Sequence, residues 1–309
     1  MEIDPGIGPE PSAPDEPDFS VSWTGMVSRT FALWKRRIAG YLTIMGVTSL
    51  VVYALYAAVI ILRFGFDSLS ILPSIGTSPF DVIISLFTLT SVMPTLFVAL
   101  ILMTFVSMVI YAVAGGAAIS LAFDDYGNPG TGDVNSSISY SVNRMWTLIG
   151  VQIVVGAIIL VLQIPTLAFN VLFLTGDLSA IASLSILSLV GTLIGIYVGV
   201  RLTPVSAVVI AEEDKGTIDA VKRAWSMTSG NFWHILGGQF LLGLVIGIIT
   251  LVVQMLFTLL AIGVYPSIMT IILPTIFVGI LFSSLDYIFQ TVIYRDLESR
   301  ARAEGEDWW

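Results

Sequence analysis

The chain contains no cysteine, a single histidine and few charges of either sign. Without thiols there is no disulfide, no cysteine nucleophile and no iron–sulfur cluster, and His234 alone cannot assemble the usual zinc or haem ligand set. No metal or cofactor is therefore expected. Charged side chains make up 11% of the 309 residues, against about 25% in an ordinary soluble domain. Lysine is scarcest, with three against ten arginines. No stretch gathers a basic face, so nucleic acid is excluded as a partner. Hydrocarbon stands where charge is missing: 56% of residues are hydrophobic and the mean hydropathy is +0.93. These proportions describe an all-α, polytopic membrane protein.

The net charge of −9 is unevenly spread. Residues 1–20 hold six acids (Glu2, Asp4, Glu10, Asp15, Glu16 and Asp18) and no base, which leaves −3 for the remainder. This Pro- and Gly-rich segment has no periodic apolar face and reads as a disordered tail, a free handle for a protein partner. It lacks the basic start and small-residue cleavage site of a signal peptide. Residues 21–309 form the membrane domain. The pI near 4.5, the acids at the membrane edges and the preference for Arg over Lys suggest a halophilic archaeon.

About 20 apolar residues cross a bilayer, and six stretches suffice: Tyr41 to Leu62, Pro94 to Phe123, Met145 to Leu174, Leu178 to Val200 with a continuation to Ala211, Trp233 to Val264, and Ser267 to Tyr294. Six crossings put both termini on one side. Twelve of the thirteen Lys and Arg fall on that side, eleven when Arg201 is counted inside its span, and Arg63 alone on the other, so the positive-inside rule places both termini in the cytoplasm of a cell bounded by this plasma membrane. All seven Trp lie on the same side, where indoles sit among headgroups. In the long outer connection, Ser78-Pro79-Phe80-Asp81 reads as a helix start; a short surface helix and a plug packed over the bundle both fit.

The spans come in pairs with a shared pattern. A basic and aromatic stretch precedes the first, third and fifth, and Arg29, Arg144 and Arg223 align with Phe31, Trp146 and Trp225 two residues later. Apolar residues at helical spacing opposite Arg and Lys make these lead-in segments interfacial amphipathic helices. The even spans end in acids: Asp124-Asp125, Glu212-Glu213-Asp214 and Arg295-Asp296. Three parallel units, about 21–125, 133–214 and 217–298, are expected, in contrast to the inverted repeats of many transporters.

The run Ala220-Val221-Lys222-Arg223-Ala224-Trp225-Ser226-Met227-Thr228-Ser229-Gly230-Asn231-Phe232-Trp233, with the ending Tyr294-Arg295-Asp296-Leu297-Glu298-Ser299-Arg300 and Glu304-Gly305, resembles the membrane domain found beside bacterial glycerophosphodiester phosphodiesterases. Related stand-alone archaeal membrane proteins of unknown function share it. The resemblance implies a helical membrane domain but not the phosphodiesterase, whose barrel takes about 250 residues. Read from the residues, Thr217 is a candidate N-cap, Gly230 a terminator and Asn231 the next cap. That step is either a structural corner or, with Lys222, Arg223, Trp225, Asn231 and Trp233, a lipid-headgroup site.

Two charges lie within the spans. Asp286 is nine residues before Arg295, roughly 13 Å deep at about 1.5 Å per residue, and Arg201 lies at similar depth before Glu212. An unpaired charge there costs several kcal/mol, so an Arg201–Asp286 ion pair is expected, serving as interhelical glue, as an ion-linked site or as a headgroup contact. Gln152, Gln163, Asn170, Gln239, Gln254 and Gln290 suit helix-to-helix hydrogen bonds, and Pro165, Pro204 and Pro274 are expected to kink their helices. No paired His, Cys or clustered carboxylates indicate an enzyme. The sequence points to a non-enzymatic scaffold or lipid-interacting protein, or else to a small-solute or ion transporter using Asp286 and Arg201.

The lack of native cysteine makes the topology testable by single substitutions. Thr77→Cys should react with a membrane-impermeant maleimide in intact cells and Ser299→Cys only after permeabilisation; the opposite pattern would invert the orientation.

Overall fold

A computed structural model describes residues 22–64, 94–127, 129–175, 178–260 and 273–304. The acidic tail, the expected helix after Ser78 and Trp308 and Trp309 lie outside the described residues. Among the described residues all regular structure is helical, and six helices are long and apolar enough to cross a membrane: Ile38–Val59, Ile101–Gly127, Met145–Phe169, Leu184–Ala211, Phe232–Leu260 and Leu273–Arg302. The chain is thus a multi-pass membrane protein. A belt of exposed Leu, Ile, Val and Phe side chains, among them Leu102, Val161, Ile186, Phe240 and Leu251, gives the bundle the outer surface that lipid tails require.

In chain order, α1 (Trp23–Arg36) leads into α2 (Ile38–Tyr41), a π-helical turn at Leu42–Gly46 and α3 (Val47–Phe64). The return span is α4 (Pro94–Gly127). The second set is α5 (Val134–Asn143), α6 (Met145–Thr175) and α7 (Leu178–Leu202) continued by α8 (Val205–Ala211). The third is α9 (Thr217–Met227), α10 (Phe232–Leu260) and α11 (Leu273–Phe282) continued by α12 (Leu285–Glu304).

Local chemistry explains the short helices. Ser22 caps α1, its hydroxyl accepting from Gly25 N at 3.2 Å, and Asp133 caps α5 by accepting from Ser136 N at 2.9 Å. Lys35 and Arg36 occupy the last turn of α1, where cations suit the helix dipole. At α9 the cap is Gly216, with Thr217 one residue inside the helix. Beyond its end Gly230 adopts φ +78°, a backbone state that glycine reaches without steric cost, and α10 starts right after Asn231.

Each short helix packs on the pair of spans before it rather than on the span it introduces. Helix α5 lies on α4, and α9 lies on α6 and α8. Helix α1, with no pair before it, lies on α10 and α12, which closes the order into a ring. Glycines seat all three. A Cβ on Gly116 would run into Ser141 of α5, one on Gly150 into Thr217 of α9, and one on Gly237 into Trp23 of α1. At the centre the ends of the even spans pack together: Ala117, Ala118 and Leu121 of α4, Ala207, Val208 and Val209 of α8, and Leu285, Ile288 and Val292 of α12 are all fully buried.

Three expectations change. Arg144 is not on its lead-in helix as Arg29 and Arg223 are; it closes α5, the place that Arg37 takes after α1. Among the three prolines, Pro204 divides the fourth span, Pro165 lies inside an unbroken α6, and Pro274 is the second described residue of α11. The sixth span is divided at Ser283-Ser284 without a proline, and it runs on to Arg302.

The α4/α5 seat gives a stability test. Gly116→Ala displaces Ser141, whose hydroxyl donates to Val113 O at 2.6 Å, and should lower thermal stability in detergent by about 1–3 kcal/mol, the range for overpacking. Gly243→Ala, which would meet nothing within 4 Å, should be neutral or slightly stabilising.

Candidate intramembrane binding site

The two intramembrane charges do not meet. Arg201 is buried and faces α9: one guanidinium nitrogen donates to Trp225 O, another to Tyr197 Oη at 3.3 Å, and its central carbon stands 4.5 Å from the centre of the Trp225 ring. The Arg201–Asp286 ion pair expected from the sequence is absent from the ion pairs of the described residues. The reason is the division of each span. Arg201 precedes the break at Thr203-Pro204, whereas Asp286 follows the break at Ser283-Ser284, so equal distances from the acidic ends do not place them on facing surfaces. Breaking at Pro204 also frees backbone: Thr228 Oγ1 donates to Arg201 O at 3.0 Å, which ties α9 to the end of α7.

Asp286 instead lines a cavity of about 380 Å³. Interrupting the sixth span places Asp286 in the first turn of α12, where the helix dipole favours a negative group. Around it stand Ser49 and Tyr53 of α3, Tyr111 of α4, Gln152 of α6, Thr250 of α10, and Ser283 and Tyr287 at the start of the last half-helix. Met45, Met108, Val278 and Phe282 complete the wall with apolar surface. This mixture, mostly apolar with a few converging polar groups, is how small-molecule sites are built, and the volume is within their usual range of about 300–1,000 Å³.

Hydrogen bonds fix part of the lining. Tyr111 Oη donates to Ser49 Oγ at 3.4 Å and Ser49 Oγ to Ser283 Oγ at 3.1 Å, which holds α3, α4 and the break of the sixth span together. Gln152 Nε2 donates to Ser206 Oγ at 3.4 Å. The Tyr287 ring lies against Gly115, where any Cβ would collide with it. Two groups are left over. Tyr53 is 8% exposed and its hydroxyl, buried, has no hydrogen-bond partner; Asp286 is exposed to the cavity and has no hydrogen bond or ion pair among the described residues.

The headgroup candidates are not equivalent. Arg223 is engaged by Glu212 at 2.9 Å, both side chains being largely buried, and Trp225 is occupied by Arg201. Lys222 is exposed, Trp233 is 74% exposed, and the Asn231 amide donates to Ser229 O at 3.4 Å. At the same end of the bundle, a second cavity of about 560 Å³ is lined by Asp124, Glu212, Glu213, Glu298 and Arg295. Beside it Tyr140 Oη donates to Ile210 O and Glu213 Oε1, each at 3.0 Å. Burial, reinforced by the Glu213 carboxylate, raises the Tyr140 phenol above its ordinary pKa, so it stays a donor at neutral pH.

Sequence reasoning found Asp286 and missed its companions. Tyr53 and Tyr111 carried a signal, since a phenol far from either end of an apolar span requires a polar neighbour. His234 also takes a role that its lack of metal-binding partners did not announce. Its Nε2 lies 3.1 Å from the buried Asp296 carboxylate and 3.2 Å from Arg300 Nη2.

If Arg201 acts through α9, then Arg201→Lys, which keeps the charge but loses the planar contact with Trp225, should destabilise the protein by about 1–3 kcal/mol. The double variant Arg201→Asp/Asp286→Arg should be no more stable than the sum of the two single changes, measured by thermal unfolding in detergent. The chain matches no family model, and neither a curated protein nor a solved structure is similar to it; the chemistry rests on its own residues.

Proposed function

We propose that the chain is a non-enzymatic membrane carrier that holds a small solute at the Asp286 cavity. The observation that carries this reading is a cavity between several spans with one carboxylate and a set of hydroxyls facing it. Asp286 takes part and Arg201 does not; Arg201 is a structural tie between α7 and α9. The interruption at Ser283-Ser284 supports a carrier over a passive scaffold, because broken spans beside a midplane site are a common device of transporters.

The rest of the sequence reading fits around this core. The placement of eleven of thirteen Lys and Arg, with Arg201 inside its span, supports cytoplasmic termini in the plasma membrane. The ring of three lead-in helices supports triplication of one unit, and the motif around Trp225 supports kinship with the phosphodiesterase-associated membrane domain. Exposed Lys222 and Trp233 offer lipid headgroups a contact, and the acidic tail offers one to a protein partner.

Screening small solutes by thermal unfolding of the detergent-solubilised protein tests the carrier reading, since a ligand that binds only the folded state raises the unfolding temperature. At least one solute should stabilise the wild type, and Thr250→Phe, which fills the cavity from α10, should abolish that shift without lowering its own unfolding temperature. A shift of the same size in the variant, or no shift with any solute, would overturn it.

A further inference from the structure

Resting on the carrier reading, we propose that the solute is a singly charged organic ammonium, bound by the Asp286 carboxylate and the Tyr53 hydroxyl. Among the described residues the cavity wall has one acid and no Lys, Arg or His. Six basic side chains elsewhere in the described spans and at their ends are already engaged: Arg37 with Asp125, Arg144 with the carbonyls of Val209, Glu212 and Glu213, Arg201 with Trp225, Arg223 with Glu212, Arg295 with Glu298, and Arg300 with Asp296. Among the described residues nothing therefore supplies Asp286 with a counter-charge, and a carboxylate at this depth is costly while it stays alone.

A cation in the cavity removes that cost. An ammonium donates charge-assisted hydrogen bonds to the carboxylate, and in surroundings this apolar their attraction is far stronger than in water. It has further N–H groups to give, and Tyr53 Oη is a buried acceptor without a partner. The rings of Tyr53, Tyr111, Tyr287 and Phe282 in the wall suit a cation through their faces. Met45 and Met108 add polarisable surface for an apolar tail. A divalent metal does not fit as well: among the described residues no group of three or more His, Cys, Asp or Glu could hold one. An anion is repelled by Asp286.

Equilibrium binding to the purified full chain in lipid nanodiscs, with phenethylammonium and the nearly isosteric neutral alcohol 2-phenylethanol, tests the charge. Phenethylammonium should bind at least tenfold more tightly. Asp286→Asn, which keeps the shape and removes the charge, should erase that preference, and Tyr53→Phe should weaken ammonium binding severalfold at unchanged thermal stability. Equal affinity for the two probes would overturn the ammonium proposal while leaving the carrier reading intact, as would silence from both probes when another solute binds. A preference that survives Asp286→Asn would overturn the role given to Asp286. Failure of every solute tried would remove the carrier reading and this proposal with it.

Discussion

A charge kept among lipid tails has to be met inside the protein or carried to an edge, and this requirement orders almost every ionic group in the bundle. The ends of the even spans are met by basic groups from where the odd spans begin. Arg37, between α1 and α2, reaches Asp125 at 3.6 Å and Gly130 O. Arg144, between α5 and α6, holds the carbonyls that finish α8. His234, near the start of α10, meets Asp296 of α12. In all three places, a group at the mouth of one span fastens the end of the next, so each hairpin is closed where its chain enters and leaves. The carbonyls freed at the end of α8 gain donors by the same act, which backbone lacking water requires.

Closure of each hairpin would not by itself join the three. Between lipid and protein there is little hydrophobic drive, so helices associate through close packing and hydrogen bonds. Small residues provide it here: Gly116, Gly150 and Gly237 receive the short helices, and Ala117, Ala118 and Ala207 let the even spans approach at the centre. Packing α1 on α10 and α12 ties the first unit to the last, and the ring is complete only once the sixth span has formed. A substitution that spoils one seat therefore weakens two units together.

The periodic and compositional parts of this architecture were legible in the sequence. Span number, the three short helices and the acidic ends all follow from runs of residues whose meaning is local. Gly230, read as a terminator, has the positive φ that such a position needs. What was not legible depends on the direction in which a side chain points after a break. Counting back from Glu212 and Arg295 set Arg201 and Asp286 at similar depth, yet depth is not azimuth, and a break after Arg201 and another before Asp286 turned them to different partners. The Ser283-Ser284 break has no proline to announce it. Tyr53, Ser49 and Tyr111, 62 positions apart at the extremes, become neighbours only through packing of α3 on α4.

On the proposed carrier reading, the buried centre also limits how a solute could move. Where α4, α8 and α12 meet, alanines and branched aliphatics leave no exposed surface, so no pore follows the ring's axis at that level. The Asp286 cavity is walled on one side by α11 and the start of α12, joined only through Ser283-Ser284. Ser283 N still bonds to Gly279 O at 3.1 Å and Ile288 N to Ser284 O at 3.0 Å, so the two halves are linked by a joint that keeps its backbone groups satisfied on either side. Movement of α11 about this joint would change access to Asp286 while α12, locked in the core by Leu285, Ile288 and Val292, stays fixed. Such a division would let a carboxylate hold its position if the wall facing it opened, which a continuous sixth helix would not allow.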